Sequence, residues 1–343
     1  MLFFGDFKIL NKNYKNKRMN KSFSNDSDYK IFLKPLVIFL IGMAGSGKTT
    51  LVCRLSSDLS YLKKNHYIIN IDPACLHIPY SANIDIRDTI DYKKIMKEYN
   101  LGPNGAIVVA LNLFSTRFDQ IKRIIMRNAM SIEYLILDTP GQIEIFTWSA
   151  SGSIICETFS SSFPVILLYT IDVIRISSPL VFVGNILYSC SILYKSRLPV
   201  VMIVNKNDVV SGDFVKEWMS DSDAFDKILE KEKTFVNSFA SSLSLTLENF
   251  YNKIPFLKIS SLNGIGVYQM LNVLKKIQLE FSTFYQSQLE KNIIRYIEDF
   301  NFSHTKKVER VKNFTEKKNY LDTIEFMIFS KIENDKIYSV KIL

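Results

Sequence analysis

Short apolar runs recur along this chain, each followed by a longer stretch whose apolar positions fall three and four residues apart. Residues 36–41, 67–71, 106–111, 134–137, 165–171, 200–204 and 255–259 are rich in Val, Ile, Leu and aromatics, and all but the last are free of charge. Runs of this kind predict strands buried on both faces. The segments 49–63, 89–99, 117–130 and 179–194 carry helical spacing instead. Alternation of the two implies right-handed crossovers and a mainly parallel sheet covered by helices on both sides. From 211 to 252 the pattern becomes a helical insert of mixed charge that includes Phe214, Trp218, Phe225, Phe235 and Phe239, most of them expected to face the core. Beyond Gln286 a Lys/Glu-rich helical pattern gives way to Tyr338-Ser339-Val340-Lys341-Ile342-Leu343, which predicts no defined element. No internal repeat is visible.

Composition narrows the class. A hydrophobic share of 47% in 343 residues supports a sizeable core and argues against global disorder. The longest apolar run, 36–45, is too short to span a bilayer. Met1-Leu2-Phe3-Phe4-Gly5-Asp6 has no cleavable signal pattern, so a soluble cytoplasmic protein without membrane contact is the expectation. Cys53, Cys75, Cys156 and Cys190 are scattered, which predicts buried reduced thiols rather than disulfides or zinc. The net charge is +9, but residues 1–34 alone hold eight Lys/Arg against three Asp/Glu. Most of the charge is therefore a flexible basic tail and not a patch on the fold, so direct nucleic-acid binding is not expected. Met19 offers a second start site that would remove half of that tail.

Chemistry enters at the ends of the predicted strands, where open α/β sheets bind ligands. Gly42-Met43-Ala44-Gly45-Ser46-Gly47-Lys48-Thr49 has the spacing of a phosphate-binding loop, with Thr50 next in the helix. Its glycines let backbone N–H groups turn towards phosphate, and the helix after it points its positive end at the same place. Lys48 should bridge the β- and γ-phosphates, and the Thr49 hydroxyl should hold Mg²⁺. Asp138-Thr139-Pro140-Gly141-Gln142 follows the strand 134–137. Asp138 should reach the metal through a water, Gly141 should offer its N–H to the γ-phosphate, and Gln142 should orient the attacking water. Asn205-Lys206-Asn207-Asp208 follows the strand 200–204. The Asp208 carboxylate can accept from guanine N1 and N2, a pair adenine lacks, which makes GTP the expected substrate and disfavours an ATP-driven partitioning protein. Asn205 would tie this turn to the phosphate loop, and the Lys206 stem would cover a base face. Ser261 and Leu262, in Ser260-Ser261-Leu262-Asn263-Gly264, are the expected backbone contact to guanine O6. Asp72 could polarise the hydrolytic water or serve the metal shell, or it could cap a helix. His77 is expected at the surface.

These residues resemble the GPN-loop GTPases, relatives of the dimerising P-loop proteins of the MinD and signal-recognition-particle type, from about Pro35 to Tyr285. The likeness extends to Asn70-Ile71-Asp72-Pro73-Ala74, to the stretch from Pro79 to Thr89, to Leu101-Gly102-Pro103-Asn104-Gly105 and to Phe146-Thr147-Trp148-Ser149. The Ala82–Asp88 stretch is most similar to the first of three eukaryotic paralogues, which implies RNA polymerase II subunits as client, a role in their assembly and nuclear import, and shuttling to the nucleus. The basic tail and the region 286–343 depart from the family pattern. The resemblance also implies a homodimer or a heterodimer with a paralogue. In it Asn104 reaches across the interface, held outward by a loop that Pro103 stiffens at Gly102. MinD-like relatives carry a second lysine in the phosphate loop where this chain has Met43 and Ala44. A non-hydrolysing, nucleotide-bound scaffold for complex assembly would use the same residues.

Overall fold

The computed structural model describes residues 34–220, 222–229, 235–251 and 254–281. The chain divides into two compact units, 1–284 and 285–343, and every described residue belongs to the first. The basic tail up to residue 33, the extension 286–343 and its final hexapeptide lie outside the described residues.

Seven strands form one parallel sheet in the order β3-β2-β4-β1-β5-β6-β7. They are β1 (Leu36–Gly42), β2 (His66–Asn70), β3 (Ile84–Asp85), β4 (Tyr134–Asp138), β5 (Val165–Asp172), β6 (Val200–Asn205) and β7 (Phe256–Lys258). The chain starts in the middle with β1, builds to one edge, returns through β4, and crosses β1 to build the other half. Loops leaving β1 and its neighbours therefore diverge at a switch point, which opens a crevice at the strand C-termini. This is an α/β P-loop NTPase fold.

The pleat of β1 explains its two-sided burial. Leu36, Ile38 and Leu40 pack with Leu51, Val52, Leu55 and Leu59 of α1 (Lys48–Tyr61), and with Met270 and Leu274 of a helix near the end of the described chain (Val267–Glu280). Phe39 points the other way, with its ring centroid 5.8 Å from Phe146 and 6.1 Å from Phe159. Phe159 in turn stands edge-on to Phe118 at 5.1 Å. Both faces of the phosphate-loop strand are thus locked by apolar contacts.

One predicted strand is a helix. Residues 106–111 lie within α2 (Pro103–Ser115), not in the sheet. The run is β-branched and apolar, but Gly102 is the extended N-cap and Pro103 occupies the first helical turn, which together start a helix. Burial of Ala106, Ile107, Ala110, Leu111 and Phe114 follows helical periodicity, so packing overrides strand propensity. The edge strand is instead the short β3, inside a segment too polar to read as one.

The insert consists of helices Asp213–Ser220, Ser222–Leu229 and Phe235–Tyr251. Trp218 sits 5.4 Å from Phe182 and 5.3 Å from Phe225, fastening the insert to helix Pro179–Ser196. Phe214 joins them at 4.7 Å from Trp218. Phe239 is the exception among them and is exposed, because Ala240, Ser244 and Leu247 form the inward stripe and Phe239 stands one position off it. The side chain of Phe235 lies outside the described residues. The four cysteines are free and half-buried rather than fully buried. Burial pushes the thiols of Cys156 and Cys190 up to about 12, so both stay protonated. Among the described residues no helix is long and apolar enough to cross a membrane.

Candidate active site

The phosphate loop leaves β1 at Gly42 and enters α1 at Lys48. Gly45 and Gly47 hold φ of 79° and 90°, a region that side chains resist. At Gly47 the requirement is also steric, since a Cβ would stand 2.4 Å from Asn205 Nδ2. Lys48 is buried, and its ammonium donates to the carbonyls of Gly42 at 2.8 Å and Met43 at 3.1 Å. Burial lowers its pKa, and Asp138 and Asp72 oppose that shift. Ser46 is buried with its hydroxyl unpartnered, Thr49 is half-buried, and Thr50 is exposed on the first turn.

Asp138 ends β4 almost completely buried. Tyr80 donates its phenol to Oδ2 at 2.8 Å, and the Thr49 hydroxyl also supports the carboxylate. Burial nonetheless pushes its pKa up to about 6. Among the described residues its Oδ1 has no hydrogen-bond partner, a buried orphaned acceptor on a carboxylate that the Thr49 hydroxyl supports. That donor set fits a hard divalent cation or its water shell. No cluster of three His, Cys, Asp or Glu exists among the described residues, so such a cation would draw most of its ligands from phosphate and water. Thr139 anchors the turn by donating to the Leu40 carbonyl at 2.6 Å.

Asp72 belongs to this site rather than to a helix cap. Its Oδ1 accepts from Ala74 N–H at 2.9 Å in a tight turn, and the Gly141 N–H also supports the carboxylate. Burial raises its pKa against those bonds and against Lys48. Gly141, expected to serve the γ-phosphate, thus faces Asp72 here. It also abuts the phosphate loop: a Cβ on it would stand 3.2 Å from the Ala44 Cβ. The Asp72 turn is clamped from the sheet edge. Asn70 accepts from Asp72 N–H at 3.1 Å and donates to Asp85 at 3.0 Å. Arg87 binds Asp85 bidentately and donates to the carbonyls of Cys75 and Leu76, both at 3.0 Å. Tyr80, Asp85 and Arg87 lie in the Pro79 to Thr89 stretch that carries the family likeness, but the sequence assigns none of them a role in the site. His77 is exposed.

Gln142 Nε2 donates to Asn104 Oδ1 at 2.6 Å. The Gly102-Pro103-Asn104 segment is an exposed helix start, and it meets the turn that follows Asp138 in the same chain. Gly102 has extended φ and ψ of −68° and 169°, and a Cβ there would meet nothing within 4 Å. Nothing among the described residues therefore demands glycine at this position.

On the other side of β1, Asn205 does tie two loops together. Its Nδ2 donates to the Ser46 carbonyl at 2.9 Å, while its Oδ1 accepts from Ser261 N–H at 3.0 Å and Ser261 Oγ at 2.7 Å. Ser261 is thus committed to Asn205, and Leu262 is the exposed residue of that turn whose N–H stays uncommitted among the described residues. Asp208 Oδ1 accepts from Ser260 Oγ, which aligns the carboxylate beside the turn. Lys206 has a positive φ of 65°, and its Nζ reaches Asp172 at 2.7 Å, stretching its stem along the side where a base would stack.

A family model described as a conserved hypothetical ATP binding protein matches residues 40–280. GPN-loop GTPase 1 of Dictyostelium discoideum is 48% identical over 258 residues, covering 75% of this chain and 65% of that protein. GPN-loop GTPase 1 of Saccharomyces cerevisiae is 47% identical over 264 residues, covering 74% and 69%. The chain therefore spans about two thirds of the length of these relatives. Among solved structures, a GTPase in apo form from Pyrococcus abyssi superposes with a TM-score of 0.63 at 23% identity, covering 71% of this chain and 98% of that one, and shares the fold. Half the residues over three quarters of the chain, with every nucleotide motif in place, leave one assignment: the chain belongs to the GPN-loop GTPase family, on the branch of its first paralogue.

Proposed function

We propose that this chain binds GTP with Mg²⁺, hydrolyses its β–γ bond, and uses that cycle to open and close a dimer that assists assembly and nuclear import of RNA polymerase II. The observation that carries the chemistry is the buried Lys48 ammonium of the phosphate loop with Asp138 and Asp72 both acting on it, while the Gln142–Asn104 hydrogen bond brings the extra loop to the turn that follows Asp138. Lys48 would leave its carbonyl acceptors for the phosphates, a stronger charge-assisted pairing. Thr49 and, through water, Asp138 would hold Mg²⁺, which neutralises charge on the β- and γ-oxygens. Asp72, already raised in pKa, would accept a hydrogen bond from the attacking water, and Gln142 would orient it. Gly141 would then exchange Asp72 for the γ-phosphate.

Pairing of protomers is supported by the exposed Gly102-Pro103-Asn104 segment and by the lack of any internal need for glycine at 102. A glycine there fits close approach by another backbone. In such a pair Asn104 of one protomer would serve the phosphate site of its partner, the partner being a second copy or a paralogue. The polymerase client and a cytoplasmic location with nuclear shuttling rest on likeness to the first paralogue.

Titration with GTP and ATP, followed by phosphate release, tests the enzymatic part. GTP should bind far more tightly than ATP, and Asp208→Asn should cost about 1–3 kcal/mol of GTP binding. Equal affinity for the two nucleotides would contradict the guanine reading. Tight GTP binding with no phosphate release would favour a scaffold.

A further inference from the structure

The turn after β5 holds two charged residues that no nucleotide motif claims. Asp172 is buried, and its Oδ1 accepts from Ile174 N–H at 3.0 Å. Its Oδ2 is held by Lys206 at 2.7 Å, so the lysine of the base-reading motif already neutralises it. Arg175 Nε stands 3.8 Å from the same oxygen, a looser contact, and the rest of its guanidinium turns towards the phosphate loop. Nη1 donates to the Ala44 carbonyl at 3.1 Å. Nη2 lies 3.1 Å from the point where a Cβ on Gly45 would stand. The glycine thus opens the front of the loop to a cation, and the arginine fills that opening with 56% of its side chain exposed.

We infer that Arg175 supplies, from within the same protomer, a second phosphate-contacting cation that acts beside Lys48 in the transition state; this rests on the GTPase reading above. Lys48 is buried at the base of the loop, whereas Arg175 stands at its mouth against Ala44 and Gly45. Its fork has five donors, and its bond to a neutral carbonyl is the kind an anionic phosphate oxygen displaces. Charge spreads over the γ-oxygens as the bond to the leaving group loosens, so a cation there helps the transition state more than the ground state. The bond to the Ala44 carbonyl keeps the guanidinium at the loop, and the looser contact to Asp172, which Lys206 holds, links its position to the base-reading turn.

The test compares the wild-type protein with Arg175→Met and Arg175→Lys, using turnover at saturating GTP and the dissociation constants of GDP alone and of GDP with aluminium fluoride. Arg175→Met should lose about 10²-fold in turnover and a similar factor in aluminium fluoride-dependent affinity, while GDP alone changes by less than about threefold. Arg175→Lys should recover part of both, and added guanidinium ion should stimulate Arg175→Ala. Equal loss of GDP and GDP–aluminium fluoride binding would show that Arg175 only shapes the loop, and unchanged turnover in Arg175→Met would show that it is idle; either result overturns the inference. Failure of the wild type itself to bind GDP or turn over GTP would instead contradict the GTPase reading on which it rests.

Discussion

At the scale of single residues, the proposed roles separate groups that would hold nucleotide from groups that would act on it. Lys48 sits at the base of the loop with its charge favoured by Asp138 and Asp72 against burial, so its removal would take away ground-state attraction for phosphate. Asp72 is held by the N–H groups of Ala74 and Gly141 and Gln142 by Asn104, so their recorded bonds lie outside the phosphate loop. Lys48→Ala should abolish tight GTP binding. Asp72→Ala and Gln142→Leu should keep affinity within a few fold and lower turnover by about 10²-fold or more, the pattern of interactions made mainly in the transition state. Equilibrium binding of a non-hydrolysable GTP analogue, measured beside single-turnover rates, separates the two classes. If the Asp72 and Gln142 variants lose affinity as severely as Lys48→Ala, both residues are structural.

At the scale of elements, the clamp on the Asp72 turn is the feature most open to perturbation. Asp85 is pushed up by burial, but hydrogen bonds from Arg87 and Asn70 outweigh that and hold its pKa below the usual 3.8. A depressed carboxylate contributes stability that is present above its ordinary pKa and is lost as pH falls through its lowered value. The pair is partly exposed, so its contribution is about 1 kcal/mol or less. Arg87→Ala should therefore lower the melting temperature slightly at neutral pH and narrow its gap to the wild type under acid. It should also slow hydrolysis, because the carbonyls of Cys75 and Leu76 lose their anchor and Asp72 loosens with them. A melting curve at each pH, read beside turnover, checks both parts; an unchanged turnover would mean the turn is held by Asn70 alone. None of this clamp was legible from spacing. The strands β1, β4, β5 and β6 were, because parallel strands buried on both faces read as continuous apolar runs. The motif residues were legible for a related reason: each sits one step past such a run. The segment 106–111 misled because its β-branched composition says strand while Pro103 and the burial of Ala106, Ala110 and Phe114 say helix. The pairings Tyr80–Asp138, Arg175–Ala44 and Ser261–Asn205 join residues between 56 and 131 positions apart, and only the folded sheet brings them together.

At the scale of the whole molecule, the switch point at β1 sets phosphate chemistry on one side and base recognition on the other, with Asn205 joined to Ser46 across it. Nucleotide binding should therefore stiffen both halves of the sheet edge together. What one protomer leaves outward is Asn104, in contact with Gln142 but on an exposed helix start. In the proposed pair, hydrolysis needs Asn104 from a second protomer as well as Asp72 and Gln142 from the first. Mixing Asn104→Ala with Asp72→Ala tests it directly, because each variant keeps Lys48 and should still bind GTP. The mixed pair has one site with its own Asp72 and a donated Asn104, so phosphate release should rise well above that of either variant alone, with turnover growing faster than linearly in protein until pairs saturate. No rise on mixing after subunit exchange has been verified, with a rate first order in protein, would contradict the claim and assign Asn104 to its own Gln142.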